Sequence, residues 1–361
     1  MKFVASFQVI LGCMLLSVPA AFSQTTTSAS FLPPPPATVS TVPSNGDVNP
    51  YGVAFAPAKF PTTGVLMPGD ILVSNFNNSA NLQGTGSTVV RVDAHGVVST
   101  FYQGSGGLGL TAALGIVRHG LIFVGNMPTT DGTSATVSPG SMLILNRSGN
   151  LVGTLNNPSW VNGPWGMAIH DEGSQAQIFI SNVLSGTITR LDVAFFEGND
   201  TVSVIQAVQI AGGYNHRLDP AALVLGPSGL YYNAATDTLY VASSADNAIY
   251  QIANAGSLTS NGGTGTMVYS DTTHLHGPLN LVMAPNGDLL VANSDGSNVD
   301  PNQPSEIVEF TTSGSFVNEY SIDPANGGAF GLGMMNLDGA VRLAAVDDNQ
   351  STLTTWTVPV H

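Results

Sequence analysis

Positive charge is scarce in this chain. Eight Lys and Arg stand against 23 Asp and Glu, a formal net charge of −15. Phosphate backbones and anionic lipid both need clustered Lys and Arg, so the sequence argues against a nucleic-acid partner and against docking on an anionic membrane. Charge of either sign is sparse: 9% of residues carry it, against the usual figure of about a quarter. The apolar share of 43% is nevertheless that of a globular chain, so disorder is not the consequence. Cysteine is limited to Cys13, which falls in an apolar N-terminal run. The chain beyond that run can hold no disulfide, and its stability must come from packing. No apolar run long enough to span a bilayer is present; Phe3–Leu16 is too short. Also missing are Gly-x-Ser-x-Gly, His-Glu-x-x-His, a phosphate loop and a paired-Cys motif.

What is present at the start reads as an export signal. Lys2 supplies the positive end, Phe3–Leu16 the apolar core, and Ala21-Phe22-Ser23 a cleavage site. The expectation is a leader over residues 1–23, a mature chain starting near Gln24, and secretion or delivery to a periplasm. Ile10-Leu11-Gly12-Cys13 has some likeness to a lipoprotein signal, but the apolar run continues through Met14-Leu15-Leu16 as an ordinary leader does. Residues 24–36 are rich in Thr, Ser and Pro, ending in Pro33–Pro36, and read as a linker without a core.

From residue 37 the chain is built of one repeated pattern, seen most plainly in Gly163–Leu191. A Gly-Pro turn opens a short apolar run (Met167-Ala168-Ile169). A polar turn leads to a second run (Ile178-Phe179-Ile180) ending in Ser181-Asn182, and a tight turn precedes an alternating strand, Ile188–Leu191. The runs are too short for helices. Six such units of roughly 50–60 residues predict an all-β, six-bladed β-propeller over residues 37–361. The sixth unit lacks its fourth strand, and the orphan β-branched stretch Ala37–Val42 is available to complete it, which would leave no open edge at the join. A monomer is expected.

The Gly-Pro-x-Gly openings at Gly163–Gly166 and Gly226–Gly229, Gly277-Pro278, and the turn Ser244-Ala245-Asp246-Asn247-Ala248-Ile249 resemble the NHL-repeat propellers. That family usually ends its second strand in Asp, where this chain mostly has Asn. The resemblance implies a propeller that serves either as a binding scaffold or as an enzyme.

Aligning the units yields two rings. At the entry of strand one stand Gly52, Ala113, Gly166, Gly229, Asn280 and Gly331, a pattern expected where strands converge and no side chain fits. At the exit of strand two stand Asn75, Asn126, Asn182, Ser243, Asn293 and Asp347. These residues suit a turn that caps backbone groups. They equally suit a polar ring at the channel mouth that takes an uncharged ligand such as a sugar, or a hard cation. Gluconolactonase-like propellers hold a divalent metal at strand-one entries, and only Asn280 matches them here. Long loops, 76–88, 127–141 and 294–305, leave the same face. One contains Asp295, Asn298, Asp300 and Asn302, a spacing with some likeness to a calcium loop but without its closing glutamate.

His216, His274 and His276 fall on loops between blades at this mouth. Loop histidines commonly bond backbone. Alternatively these three form a zinc or calcium centre with Asp219, Asp347 and Asp348, and the protein is a metal-dependent lyase or lactonase. The leading expectation is binding of a small polar ligand or a protein partner at the mouth.

Overall fold

The computed structural model describes Met1, residues 30–32 and residues 37–359. The expected leader beyond Met1, and the rest of the expected linker, lie outside the described residues.

Six four-stranded antiparallel sheets stand around one axis. From the axis outward, blade one is Val48–Phe55, Ile71–Asn77, Thr88–Val92 and Val98–Gln103. Blade two is Leu110–Ile116, Leu121–Asn126, Ser141–Asn146 and Leu151–Leu155. Blade three is Pro164–Asp171, Gln175–Asn182, Thr187–Phe195 and Val202–Gly212. Blade four is Pro227–Asn233, Thr238–Ser243, Ala248–Ala253 and Thr266–Tyr269. Blade five is Pro278–Met283, Leu289–Asn293, Ser305–Phe310 and Phe316–Asp323. Blade six is Ala329–Leu337, Ala340–Asp347 and Thr352–Pro359, completed on the outside by Ala37–Ser40. The closing strand runs antiparallel to the last one, with Ala37 opposite Thr355 and Ser40 opposite Thr352. The ring closes as the incomplete sixth unit implies.

The reason for the layered pattern is burial. A blade is covered on both faces, so its second strand is apolar almost throughout rather than alternating. Every residue of Ile71–Asn77 and of Leu121–Asn126 is buried. Side chains from facing sheets form an apolar cluster between neighbouring blades, the one between blades six and one merging with the axial cluster; Phe123, Ile178 and Leu191, for example, pack between blades two and three. The inner ring of small residues has the predicted cause. A Cβ on Gly166 would stand 2.1 Å from the carbonyl oxygen of Ser228 in the next blade, and one on Gly331 would stand 2.0 Å from that of Tyr51.

Ser30–Leu32 differ from the expectation of a linker without packing. The fully buried carboxylate of Glu309 accepts hydrogen bonds from the Phe31 N–H at 2.9 Å, the Leu32 N–H at 3.3 Å and the Ser30 hydroxyl at 3.0 Å. Phe31 and Leu32 pack on the cluster between blades five and six. A buried carboxylate needs donors, and the passing backbone supplies them. Among the described residues, no helix is long and apolar enough to cross a membrane.

Candidate binding site at the channel mouth

The residues at the strand-two exits are buried, and the four Asn among them clasp the loop that enters their own blade. The Asn182 amide oxygen accepts from the Asn162 N–H (2.9 Å), and its nitrogen donates to the Trp160 carbonyl (3.3 Å) and the Thr189 hydroxyl (2.9 Å). Asn293 repeats the pattern, accepting from the His276 N–H (3.1 Å) and donating to the His274 carbonyl (2.7 Å) and Glu306 (2.8 Å). Asn126 accepts from the Gly109 N–H (2.8 Å), and Asn75 donates to the Thr41 carbonyl (3.0 Å). Ser243 donates to Asp246 within its own turn (2.6 Å). Asp347 is 4% exposed and beside the Asp323 carboxyl. Of the two readings of this ring, the geometry is that of backbone capping: the amides that would meet a ligand are already committed to the chain. Asn280 stands apart, in an apolar stretch of channel with Met167, Leu281 and Met334, its amide oxygen accepting from the Leu281 N–H at 2.7 Å.

The three histidines do not assemble. His216 is exposed, with Nδ1 3.1 Å from the Tyr214 carbonyl. His274 stacks on Phe316 with ring centres 3.7 Å apart, its Nδ1 3.0 Å from Glu319. His276 is buried, with Nδ1 2.6 Å from the Asn298 carbonyl and Nε2 3.2 Å from that of Thr273. Both ring nitrogens of His276 lie within hydrogen-bonding distance of carbonyl oxygens, which favours the protonated ring. Burial opposes that charge, but the two carbonyls, and then Glu306 at 3.8 Å, hold its pKa above the ordinary value. Among the described residues no group of three His, Cys, Asp or Glu side chains could hold a metal ion. The loop of Asp295, Asn298, Asp300 and Asn302 is braced by hydrogen bonds of its own. There the Asn298 amide donates to the Leu275 carbonyl, and Asp300 accepts from the Asn302 N–H.

A cavity of about 460 Å³ does open at the mouth. Side chains alternate along a strand, so the residue after each clasp faces the other way. These next residues are Phe76, Met127, Val183, Ser244, Ser294 and Asp348. The first three are apolar, and Phe76 plugs the axis: its ring centre lies 4.9 Å from that of Tyr51 and 5.3 Å from that of Trp165. Tyr51 also packs on Phe330 at 4.7 Å. Tyr51, Trp165 and Phe330, with Leu279, are the floor of the cavity. Its wall is polar on the side of blades four to six, where Ser244, Ser294, Asp295 and Asp348 stand.

A small antiparallel hairpin, Arg217–Asp219 with Leu223–Leu225, lies between blades three and four and covers part of the opening. Leu223, Val224 and Leu225 are buried, the first two within the axial apolar cluster. The hairpin tip is held from across the mouth, where the Gln83 amide of blade one donates to the Ala221 carbonyl at 2.9 Å. Leu223 has φ 64°, a left-handed conformation that costs a residue with a side chain about 1–3 kcal/mol. Its burial in the axial cluster offsets that strain.

Carboxyl groups concentrate on the polar side. Burial, then the neighbouring charge of Asp347, pushes the Asp348 carboxyl up to about 7. Burial, then the Asp323 carboxyl, pushes Asp347 up to about 6. Burial pushes Glu306 up to about 7 despite the Asn293 amide, and it also raises Asp295. Among the described residues, burial and the Asp347 charge are the influences on Asp348, with no hydrogen bond beside them. Asn49, at the cavity wall and 6% exposed, has an amide oxygen with no hydrogen-bond partner among the described residues.

No catalogued protein family matches the sequence, and no curated protein matches it. Solved structures do. One is a calcium-binding protein, regucalcin, from Agrobacterium tumefaciens, at 13% identity and TM-score 0.51, covering 90% of this chain and 95% of that one. Another is a luciferin-regenerating enzyme, at 10% identity and TM-score 0.49 with the same coverage. The first likeness is one of fold: a six-bladed propeller. Of the mouth residues, Asp219, Asp295 and Asp348 were among the sequence candidates, whereas the aromatic floor and the serines were not. The signal was one position beyond the strand-two exits, where the chain turns from Phe, Met and Val to Ser, Ser and Asp.

Proposed function

We propose that this chain is an NHL-like propeller that binds a small polar ligand in the mouth cavity and acts as a monomer outside the cytoplasm. One observation carries the reading: a cavity of about 460 Å³ with an aromatic floor and a polar wall on one side. Ligand sites are concave, mostly apolar and given direction by a few polar groups, in volumes of about 300–1,000 Å³. Nothing in the arrangement of His216, His274 and His276 favours the metal-dependent lyase or lactonase alternative.

The test is a calorimetric screen of neutral glycans, organic amines and short peptides against the protein and its Ala222→Phe variant. Ala222 is on the hairpin tip at the cavity edge, so a phenyl group there fills the opening without entering the core. A ligand that binds the parent and loses at least tenfold affinity in the variant supports the mouth. A ligand that binds both equally moves the site elsewhere. Export has its own check: mass analysis of protein recovered from the periplasm or medium should find a chain starting near Gln24.

A further inference from the structure

We propose that the mouth selects a small organic ammonium ion, a primary amine on an aromatic or apolar body. Its N–H groups would meet the Asp348 carboxylate and the Asn49 amide oxygen, and its body the rings of Tyr51, Trp165 and Phe330. This rests on the mouth being the binding site, and it adds the chemical class.

Among the described residues, the charged side chains around the cavity are Asp219, Asp295 and Asp348, and no Lys, Arg or His lines it. An anionic ligand would meet three carboxyl groups and no counter-charge. Acceptors predominate among the polar groups left free. The Asn49 oxygen is buried and unpartnered among the described residues, and no donor acts on Asp348. Most side-chain donors in the wall are already used. The Ser244 hydroxyl donates to the Gly226 carbonyl, that of Ser294 to the Gly277 carbonyl, and the Gln83 amide to the Ala221 carbonyl. The Tyr51 hydroxyl is engaged with the Asn49 side chain, and the Trp165 indole remains. A sugar brings as many acceptors as donors, and several of its oxygens would be buried unpaired. An ammonium group brings donors alone. Aromatic faces add to its attraction, because the negative face of a ring draws a cation. The carboxyl-rich mouth of a chain of net charge −15 also concentrates cations before contact.

The class carries its own pH signature. Asp348 is faced by Tyr51 from blade one, by Asp347 on its own strand, and shares the cavity with Asp295 and Asp219. An ammonium ion requires the ionised carboxylate, so affinity should rise as pH rises through about 7. A neutral alcohol has no such requirement.

The experiment is calorimetric titration of the full mature chain with 2-phenylethylamine, its neutral counterpart 2-phenylethanol, and a neutral disaccharide, at pH 6 and pH 8. The expected result is at least tenfold tighter binding of the amine than of the alcohol at pH 8, a smaller preference at pH 6, and loss of the preference in Asp348→Asn. Asp295→Asn, on the neighbouring blade of the same wall, should weaken the amine by a smaller factor; circular dichroism verifies that both variants fold. Equal binding of amine and alcohol, or a preference that survives Asp348→Asn, overturns the ammonium class. Disaccharide binding without amine binding also overturns it, yet leaves the mouth as the site if Ala222→Phe blocks that binding. Amine binding untouched by Ala222→Phe, or no binding by any of the three, overturns the class and the mouth together.

Discussion

Two halves of one ring, built by the same repeat, have taken different tasks. On blades one to three the residue after the clasp is Phe76, Met127 or Val183, and it closes the axis. On blades four to six it is Ser244, Ser294 or Asp348, and it borders the cavity. The six positions correspond in the repeat, and their side chains make the division. The apolar half supplies cohesion where the inner strands meet, and the polar half can be wet because the other half is not. Function in such a ring is a matter of which copies depart from the common pattern.

The most damaging way to break this comparison is to remove the plug. Phe76→Ala should lower stability by about 3–5 kcal/mol, the usual cost of emptying a buried phenyl site, read as a fall in the denaturant midpoint. A smaller loss would mean that Tyr51 and Trp165 collapse into the space, and that the apolar half is less rigid than its packing suggests.

Next come the clasps. Asn293→Leu strands the His276 N–H and the His274 carbonyl, and Asn182→Leu strands the Asn162 N–H. Each should cost roughly 1–3 kcal/mol. Asn75→Leu should cost less, since the oxygen of Asn75 has no partner among the described residues and only the bond to Thr41 is lost. Equal losses at Asn75 and Asn293 would sink the clasp account.

The third prediction concerns pH and belongs to the polar half. Asp347, Asp348 and Glu306 have carboxyl pKa values raised in the folded chain, to about 6, 7 and 7. A raised value means that the folded state holds the proton more tightly than the unfolded one. Its contribution to stability is then fully present below the unfolded carboxyl range and is lost as pH rises through about 6–7. The raised pKa of His276 acts in the same direction. The melting midpoint should therefore fall by several degrees from pH 5 to pH 8, and Asp348→Asn should flatten the slope. A midpoint that climbs over that interval would contradict the burial of these groups. The mildest change is Ser294→Ala, which removes the bond to the Gly277 carbonyl and should cost about 0.5–1.5 kcal/mol, with the fold intact by circular dichroism.

Architecture was readable in the chain because it depends on periodic features. The apolar second strands, the Gly ring and the orphan strand Ala37–Ser40 each repeat or complete a pattern, and each has one physical cause. The site was less readable. The Asn residues repeat because every blade needs its entry loop held, so their regularity marks a structural role. His274 and His276 look like a ligand pair in sequence, but they point to different partners, Glu319 and the carbonyls of Asn298 and Thr273. The hairpin at Arg217–Leu225 follows no blade pattern, and its position over the mouth depends on Gln83, 138 residues away. No local signal encodes a contact of that range.

The closing strand also sets an order in time. Thr38 meets Thr354 across 316 residues, whereas every other strand pair of the blades joins sequence neighbours. Blades one to five can assemble as local hairpins while the chain is still being made. The sixth must wait for both ends, and such distant pairings form slowly. Until then Ala37–Ser40 is an unpaired strand and the ring is an open arc with inner faces exposed. A truncated or stalled chain would thus remain open, vulnerable to aggregation and proteolysis, and a complete chain has a last step that seals it.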